Sequence, residues 1–93
     1  MVPEIENKIV QAAEALKAVG AKEIYLFGSA ADGTLRDDSD IDIAVRGLPD
    51  EVFYRAMGIA GRILDRQVDL VSLDDENPFT QYLETSGELR RVA

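Results

Sequence analysis

The sequence predicts an α/β (α+β) fold class, with a small mixed β-sheet of about three strands flanked by helices. Two stretches, 4–19 and 51–64, repeat apolar residues at three- and four-residue steps, which is typical of amphipathic helices. Three shorter stretches, 23–28, 40–46 and 67–73, are rich in apolar residues and bounded by turn-forming residues, which indicates strands. The predicted order is helix, strand, short helix, strand, helix, strand, helix.

Composition excludes several classes of function. The 93 residues include no cysteine and no histidine, which rules out thiolate catalysis, an imidazole base and a histidine-ligated metal. The formal net charge of −8 argues against unaided nucleic-acid binding and suits a basic protein partner. No apolar run approaches the roughly 20 residues of a membrane span, and the first residues do not resemble a signal peptide. A cytoplasmic protein with one domain is therefore expected.

The first helix is expected over residues 4–19 and should brace the sheet from behind. Pro3 precedes it and Gly20 follows it, the usual asymmetry of helix ends. Lys17 lies in its last turn, where the helix dipole favours a cation. Its apolar stripe consists of Ile5, Ile9, Ala12 or Ala13, Leu16 and Val19.

The strands and the short helix follow in order. Residues 23–28 are apolar on both faces, which is typical of a central strand. Ser29 can cap a short helix that Gly33 would end. The second strand, residues 40–46, should direct three side chains towards the core: Ile41, Ile43 and Val45.

The rest of the chain predicts one more helix, strand and helix. Residues 51–64 carry a wide apolar stripe, and residues 67–73 form the third strand. Pro78 fits the first turn of a closing helix that Gly87 would end. Residues 88–93 are predicted to be a tail.

Three carboxylates stand out in or beside the predicted strands. Asp40 and Asp42 lie two residues apart, so their side chains should share one face of the sheet. Adjacent carboxylates repel unless a cation lies between them, and Mg²⁺ prefers oxygen ligands. Asp69 interrupts the apolar run of the third strand. Each feature alone fits a solvated strand end or a partnered structural carboxylate, whereas together they predict a metal site.

Gly28 and Ser29 supply features that suit a phosphate. A glycine lets the backbone approach a ligand closely, and a serine offers a hydroxyl and an N–H group. Taken alone, a Gly-Ser pair after a strand is usually only a turn.

The spacing of these features resembles that of a known family. Gly28-Ser29, ten further residues and then Asp40-Ile41-Asp42 resemble the signature of the polymerase-β-like nucleotidyltransferases. The resemblance covers nearly the whole chain and implies a single minimal nucleotidyltransferase domain over residues 1–93. Within that superfamily the chain is similar to the minimal nucleotidyltransferase (MNT, or MntA-type) antitoxins. In those proteins the antitoxin transfers AMP from ATP to a tyrosine of a HEPN toxin.

The resemblance implies a role for each residue of the motif. Asp40, Asp42 and Asp69 would be catalytic and would ligate Mg²⁺, with two ions expected. Asp69 could also accept the proton of the attacking hydroxyl. Nucleotide binding would use Gly28 and Ser29 together with Arg36 and Ser39, with ATP as the substrate and a HEPN-type toxin as the partner.

One departure from the family pattern keeps other functions open. Many relatives have arginine where this chain has Ala30 and Asp32. Arg36 could substitute for them, or it could pair with Asp37 or Asp38. The alternatives are a non-catalytic antitoxin or regulatory subunit that acts by binding its partner, and a small-molecule nucleotidyltransferase of the aminoglycoside type.

Overall fold

A mixed β-sheet with helices on both faces forms the centre of the computed structural model, which describes residues 3–33, 35–36 and 39–93. The α/β fold class is confirmed, and the predicted helices and strands are present with ends that shift by one or two residues. The elements in chain order are α1 (Pro3–Ala18), β1 (Glu23–Phe27), α2 (Ser29–Asp32), β2 (Ile41–Arg46), a 3₁₀ turn (Asp50–Val52), α3 (Phe53–Leu64), β3 (Val68–Ser72), α4 (Pro78–Ser86) and β4 (Arg90–Arg91).

The strands lie in the order β3, β2, β1, β4. β1 runs antiparallel to both β2 and β4, whereas β2 and β3 are parallel and joined through α3. A parallel pair needs such a crossover because the chain must return to the same end of the sheet. The start of β2 and the start of β3 therefore lie side by side, next to the end of β1.

The fourth strand differs from the prediction, which made residues 88–93 a tail. β4 pairs two residues with β1, placing Arg90 opposite Leu26 and Arg91 opposite Tyr25. Further hydrogen bonds hold this segment, since the Ile24 amide donates to the Ala93 carbonyl at 3.0 Å. A strand of two residues is too short to show alternation in the sequence, and its stability comes from this pairing rather than from propensity.

One face of the sheet is covered by α1 and α3 and forms the larger core. Alternation along each strand sends every second side chain to this face. The prediction that Ile41, Ile43 and Val45 face the core is confirmed, because all three are buried. From α1, the large side chain of Leu16 is fully buried in this core. Burial of such a side chain contributes about 1.5–3 kcal/mol, so this core supplies much of the folding free energy.

The opposite face is only partly covered. A smaller apolar cluster under α4 contains Phe27, Ala44, Leu73 and Leu83. Towards the start of β2 and β3 the same face carries Asp42, which is half-buried, and Asp69, which is exposed. This end of the face is therefore accessible. None of the helices in the described part of the chain is both long and apolar enough to cross a membrane.

Candidate active site

Two of the predicted carboxylates are direct neighbours across the parallel strands. The β2–β3 register pairs Asp42 with Asp69, so their side chains project from the same face of the sheet. Asp40 lies one residue before β2 and is exposed. The predicted strand began at Asp40, so the structure moves that carboxylate from the strand to the loop that leads into it.

The pKa of Asp42 is raised above the usual range of an aspartate. Burial is the largest cause, followed by the negative charge of Asp69, a hydrogen bond between the two carboxyl groups and the charge of Asp40. Each of these effects disfavours the ionised form of Asp42. A cation placed between the carboxylates would favour their ionised forms. The electrostatics at this position therefore favour a positively charged ligand.

The carboxylates at this end of the sheet could supply some, but not all, of the oxygen ligands that a divalent metal ion takes. Across residues 3–33, 35–36 and 39–93, no group of three or more side chains of the usual ligand types is arranged so that it could hold a metal ion. The site instead offers the adjacent pair Asp42 and Asp69, with Asp40 close enough for its charge to act on Asp42. Mg²⁺ commonly takes one or two carboxylates and completes its shell with water and substrate phosphates. The carboxylate pair fits that pattern.

Gly28 adjoins the carboxylates at the end of β1. Its backbone has φ +64° and ψ −144°, a conformation that residues with side chains rarely adopt. A Cβ atom at this position would lie 2.5 Å from Oδ2 of Asp42. The glycine is therefore required both by its dihedral angles and by the closeness of Asp42.

The capping role expected of Ser29 is wrong. Gly28 occupies the N-cap position of α2, and no side chain caps that end. Ser29 is instead the first residue of the helix, where its carbonyl accepts a hydrogen bond from the Gly33 amide. The local conformation of Gly28 starts the helix one residue earlier than the serine preference suggested. The predicted end of the helix at Gly33, in the left-handed region, is confirmed.

Ser39 and Arg36 form a turn that leads into the carboxylates. The Arg36 amide donates to Oγ of Ser39 at 3.1 Å, and the Ser39 amide donates back to the Arg36 carbonyl at 3.1 Å. The Arg36 side chain is exposed. Its suggested pairing with Asp37 or Asp38 lies outside the described residues.

Arg66 is a supporting residue that the sequence did not reveal. Its Nη1 atom donates to the carbonyl oxygens of Arg36 at 2.9 Å and Ser39 at 3.1 Å. The guanidinium thus connects the segment after α3 to the turn before Asp40 through two hydrogen bonds. In the sequence Arg66 resembled a solvated charge at a helix end, and nothing local distinguishes the two roles.

A cavity of about 380 Å³ opens beside Gly28, between α2 and the segment that leads into β4. Arg90 lines it, together with the carboxylates Asp32 and Glu88. Among the ion pairs between described residues, Arg46 is paired with Glu84 at 2.5 Å and Arg90 takes part in none. Arg90 therefore places a cationic residue at the cavity beside the glycine, a position that the predicted tail did not suggest.

Comparison with known proteins decides the family. The family model described as polymerase beta, nucleotidyltransferase matches residues 7–89. The chain belongs to the polymerase beta nucleotidyltransferase family. Among curated protein sequences no significant match is found.

Solved structures place this nucleotidyltransferase among the minimal members of its family. It is 31% identical to a chain of a toxin–antitoxin complex with AMP-PNP, with a TM-score of 0.72 over 92% of this chain and 70% of that chain. It is 26% identical to a chain of the complex between a tri-AMPylated HEPN toxin of Shewanella oneidensis and its MNT antitoxin, with a TM-score of 0.61 over 94% and 67% of the two chains. The predicted resemblance to MNT antitoxins is thereby confirmed.

A third structure supports the fold alone. It is described as a minimal nucleotidyltransferase and is 23% identical, with a TM-score of 0.71 over 96% of this chain and 94% of that chain. The nucleotidyltransferase thus shares its fold with a protein of nearly the same extent.

Proposed function

We propose that this nucleotidyltransferase is the antitoxin of a HEPN/MNT pair and transfers AMP from ATP, with Mg²⁺, to a tyrosine of the toxin. The observation that carries the proposal is the pairing of Asp42 with Asp69 on the open end of the sheet, directly beside Gly28. The related complexes add support, because one contains AMP-PNP and another contains a tri-AMPylated HEPN toxin.

In the proposed reaction, the tyrosine oxygen attacks the α-phosphorus of ATP, and the bond from that phosphorus to the bridging oxygen breaks to release pyrophosphate. Asp42 and Asp69 would hold Mg²⁺, with Asp40 beside them adding negative charge, and the ion would neutralise charge on the phosphates. Asp69 is exposed on the open face, where it can accept the proton of the tyrosine hydroxyl. A carboxylate is the suitable base because the chain has no histidine.

Triphosphate binding would start from the backbone at Gly28 and Ser29 and extend towards Arg36 and Ser39. The two positions at which relatives carry arginine supply no positive charge to the triphosphate here, because Ala30 is apolar and buried and Asp32 is acidic. We assign the missing positive charge to Arg90, one of the residues that line the cavity next to Gly28. Arginine suits phosphate oxygens because its planar group donates two parallel hydrogen bonds.

Binding without catalysis is the second candidate function. Ala30 and Asp32 favour it, because they remove cations from the expected phosphate site. A protein that only blocks its toxin would still need the fold and the acidic surface but not the carboxylate pair.

Intact-mass spectrometry of a HEPN toxin encoded beside this gene separates the two functions. After incubation with the antitoxin, ATP and Mg²⁺, the toxin should gain the mass of one or more AMP units. The variant Asp42→Asn should abolish the gain, whereas Glu14→Gln, an equal charge change on the exposed side of α1, should not. A stable complex with unmodified toxin, and neutralisation that survives Asp42→Asn, would show binding alone. Transfer only to an aminoglycoside would indicate the small-molecule alternative.

A further inference from the structure

The exposed aromatic ring of Phe79 packs against Phe27, which is a neighbour of the candidate active site. Its centroid is 5.9 Å from that of Phe27, in an edge-to-face arrangement with an interplanar angle of 67°. Phe27 is the cross-strand partner of Asp42 and directly precedes Gly28. Partners of this kind have Cβ atoms roughly 4.5–5.5 Å apart. Phe79 is therefore separated from the carboxylate region by a single side chain.

The two rings differ in exposure. Phe27 is 8% exposed and belongs to the small core under α4, whereas Phe79 is 49% exposed. Phe27 thus supports one edge of Phe79, and about half of the Phe79 surface remains in contact with water. A large exposed apolar ring beside a polar site is the kind of surface that binds a planar apolar group.

The backbone of Phe79 is held firmly in place. Asn77 Oδ1 accepts from the Thr80 amide at 3.0 Å, and Thr80 Oγ1 accepts from the Asn77 amide at 3.2 Å, which forms a capping box around Pro78 and Phe79. Thr80 Oγ1 also donates to the Asp75 carbonyl at 2.6 Å. Because the start of α4 is ordered in this way, stacking on Phe79 would cost little conformational entropy.

We propose that Phe79 is a nucleotide-binding residue whose ring stacks on the nucleobase of the triphosphate substrate. The inference rests on the proposed function and identifies the part of the site that binds the base. Phosphates and base then bind to different elements: the triphosphate to the backbone around Gly28, and the base to the start of α4. An uncharged ring also suits this position because it adds no further negative charge beside Asp42 and Asp69.

Tryptophan fluorescence tests the stacking directly. The chain contains no tryptophan, so Phe79→Trp introduces a single tryptophan at the proposed position, whose emission can be excited apart from that of the tyrosines. Addition of AMP-PNP with Mg²⁺ should quench its emission, whereas inorganic tripolyphosphate with Mg²⁺ should not, because it has no base. Tyr54→Trp is the matched control, since Tyr54 is 82% exposed on α3 and should not respond to either ligand.

Calorimetric titration of Phe79→Ala and Phe79→Tyr measures the contribution to affinity. Loss of the ring should weaken AMP-PNP binding by about 5- to 140-fold, the range that base–aromatic stacking supports. The affinity for tripolyphosphate should stay unchanged, and Phe79→Tyr should retain nucleotide affinity because it keeps the ring. The thermal unfolding midpoint of each variant confirms that it is folded.

Three results would overturn the inference. They differ in whether the proposed function fails with it. If wild-type protein binds AMP-PNP but Phe79→Trp is not quenched and Phe79→Ala binds equally well, only the stacking role fails. If Phe79→Ala binds nucleotide normally but no longer binds the toxin, Phe79 is a protein contact. If wild-type protein binds neither AMP-PNP nor tripolyphosphate, the proposed function and the inference both fail.

Discussion

Replacing Asp42 by asparagine should raise the stability of the metal-free protein. The β2–β3 register sets this carboxylate against Asp69, and the structure gives neither of them a cationic partner among the described ion pairs. At a separation of about 5 Å in a water-like dielectric, two unit charges repel by about 0.8 kcal/mol. An asparagine amide also donates a hydrogen bond to Asp69, which an ionised carboxylate cannot do. A gain of about 0.5–1 kcal/mol follows, or about 2–8 °C in the unfolding midpoint of a domain of this size.

Calorimetry in the presence of a chelator measures this gain at neutral pH, with Glu14→Gln as the control for net charge. The raised pKa of Asp42 also determines how the free energy of unfolding depends on pH. The folded protein retains a proton that the unfolded chain has already released, so stability falls as pH rises through the raised pKa. The advantage of Asp42→Asn should therefore be complete above that pKa and absent below the ordinary aspartate pKa.

Mg²⁺ with ATP should stabilise the wild type and not Asp42→Asn. A ligand at a hundredfold excess over its Kd stabilises by about 2.7 kcal/mol. A lower unfolding midpoint for Asp42→Asn in chelator, or a rise no larger than that of Glu14→Gln, would contradict this prediction. Either result would mean that the Asp42 carboxylate supports the fold rather than straining it. The double variant with Asp69→Asn should gain less than the sum of the single changes, because both remove one repulsion.

Three further substitutions test the surroundings of the site. Gly28→Ala should destabilise the protein by more than about 1 kcal/mol and remove transfer activity, because its φ is +64° and the new Cβ would meet Asp42 at 2.5 Å; thermal unfolding and the mass assay report both effects. Arg66→Gln should speed tryptic cleavage after Arg36 several-fold in a mass-resolved time course, because two hydrogen bonds to this turn are lost. Arg90→Gln should weaken tripolyphosphate binding by about tenfold, the value of one charge-assisted hydrogen bond, as measured by calorimetric titration.

Each of these changes has a matched control in the same chain. Gly58→Ala should be neutral or stabilising, because no described atom outside its own stretch of helix lies within 4 Å of the position that its Cβ would take and alanine favours a helix. Arg62→Gln is the control for Arg66→Gln, and Arg55→Gln is the control for Arg90→Gln. Both controls remove the charge of an exposed arginine of α3. If Gly58→Ala proves as harmful as Gly28→Ala, or if the arginine controls match their test variants, the local explanations are wrong.

The sequence predicted the parts of the fold that depend on local chemistry. The apolar stripe of α1 and the glycines at positions 33 and 87 fixed helices and their ends, because periodicity and left-handed conformations are local properties. It also predicted that Asp42 and Asp69 share a site. That expectation depended on the family resemblance and on an aspartate interrupting an apolar run, and the parallel register supports it geometrically.

What the sequence could not predict depends on pairing between distant segments. β4 exists because Arg90 and Arg91 pair with β1, and two residues carry no recognisable pattern. Arg66 and Arg90 both resembled surface charges, since their positions beside the turn and the cavity arise only after the chain folds. The N-cap at Gly28 rather than Ser29 follows from the positive φ of the glycine, which is equally invisible in sequence.

The position of β2 within the sheet has a consequence for the way this protein responds to heat. β2 is hydrogen-bonded on both sides, between β1 and β3, so the backbone that carries Asp42 can open only when the sheet does. Its amides should exchange with deuterium by global unfolding, whereas those of an edge segment such as β4 should exchange through smaller openings. The carboxylate geometry should accordingly survive up to the temperature at which the domain melts. Thermal inactivation would then coincide with loss of the fold instead of preceding it.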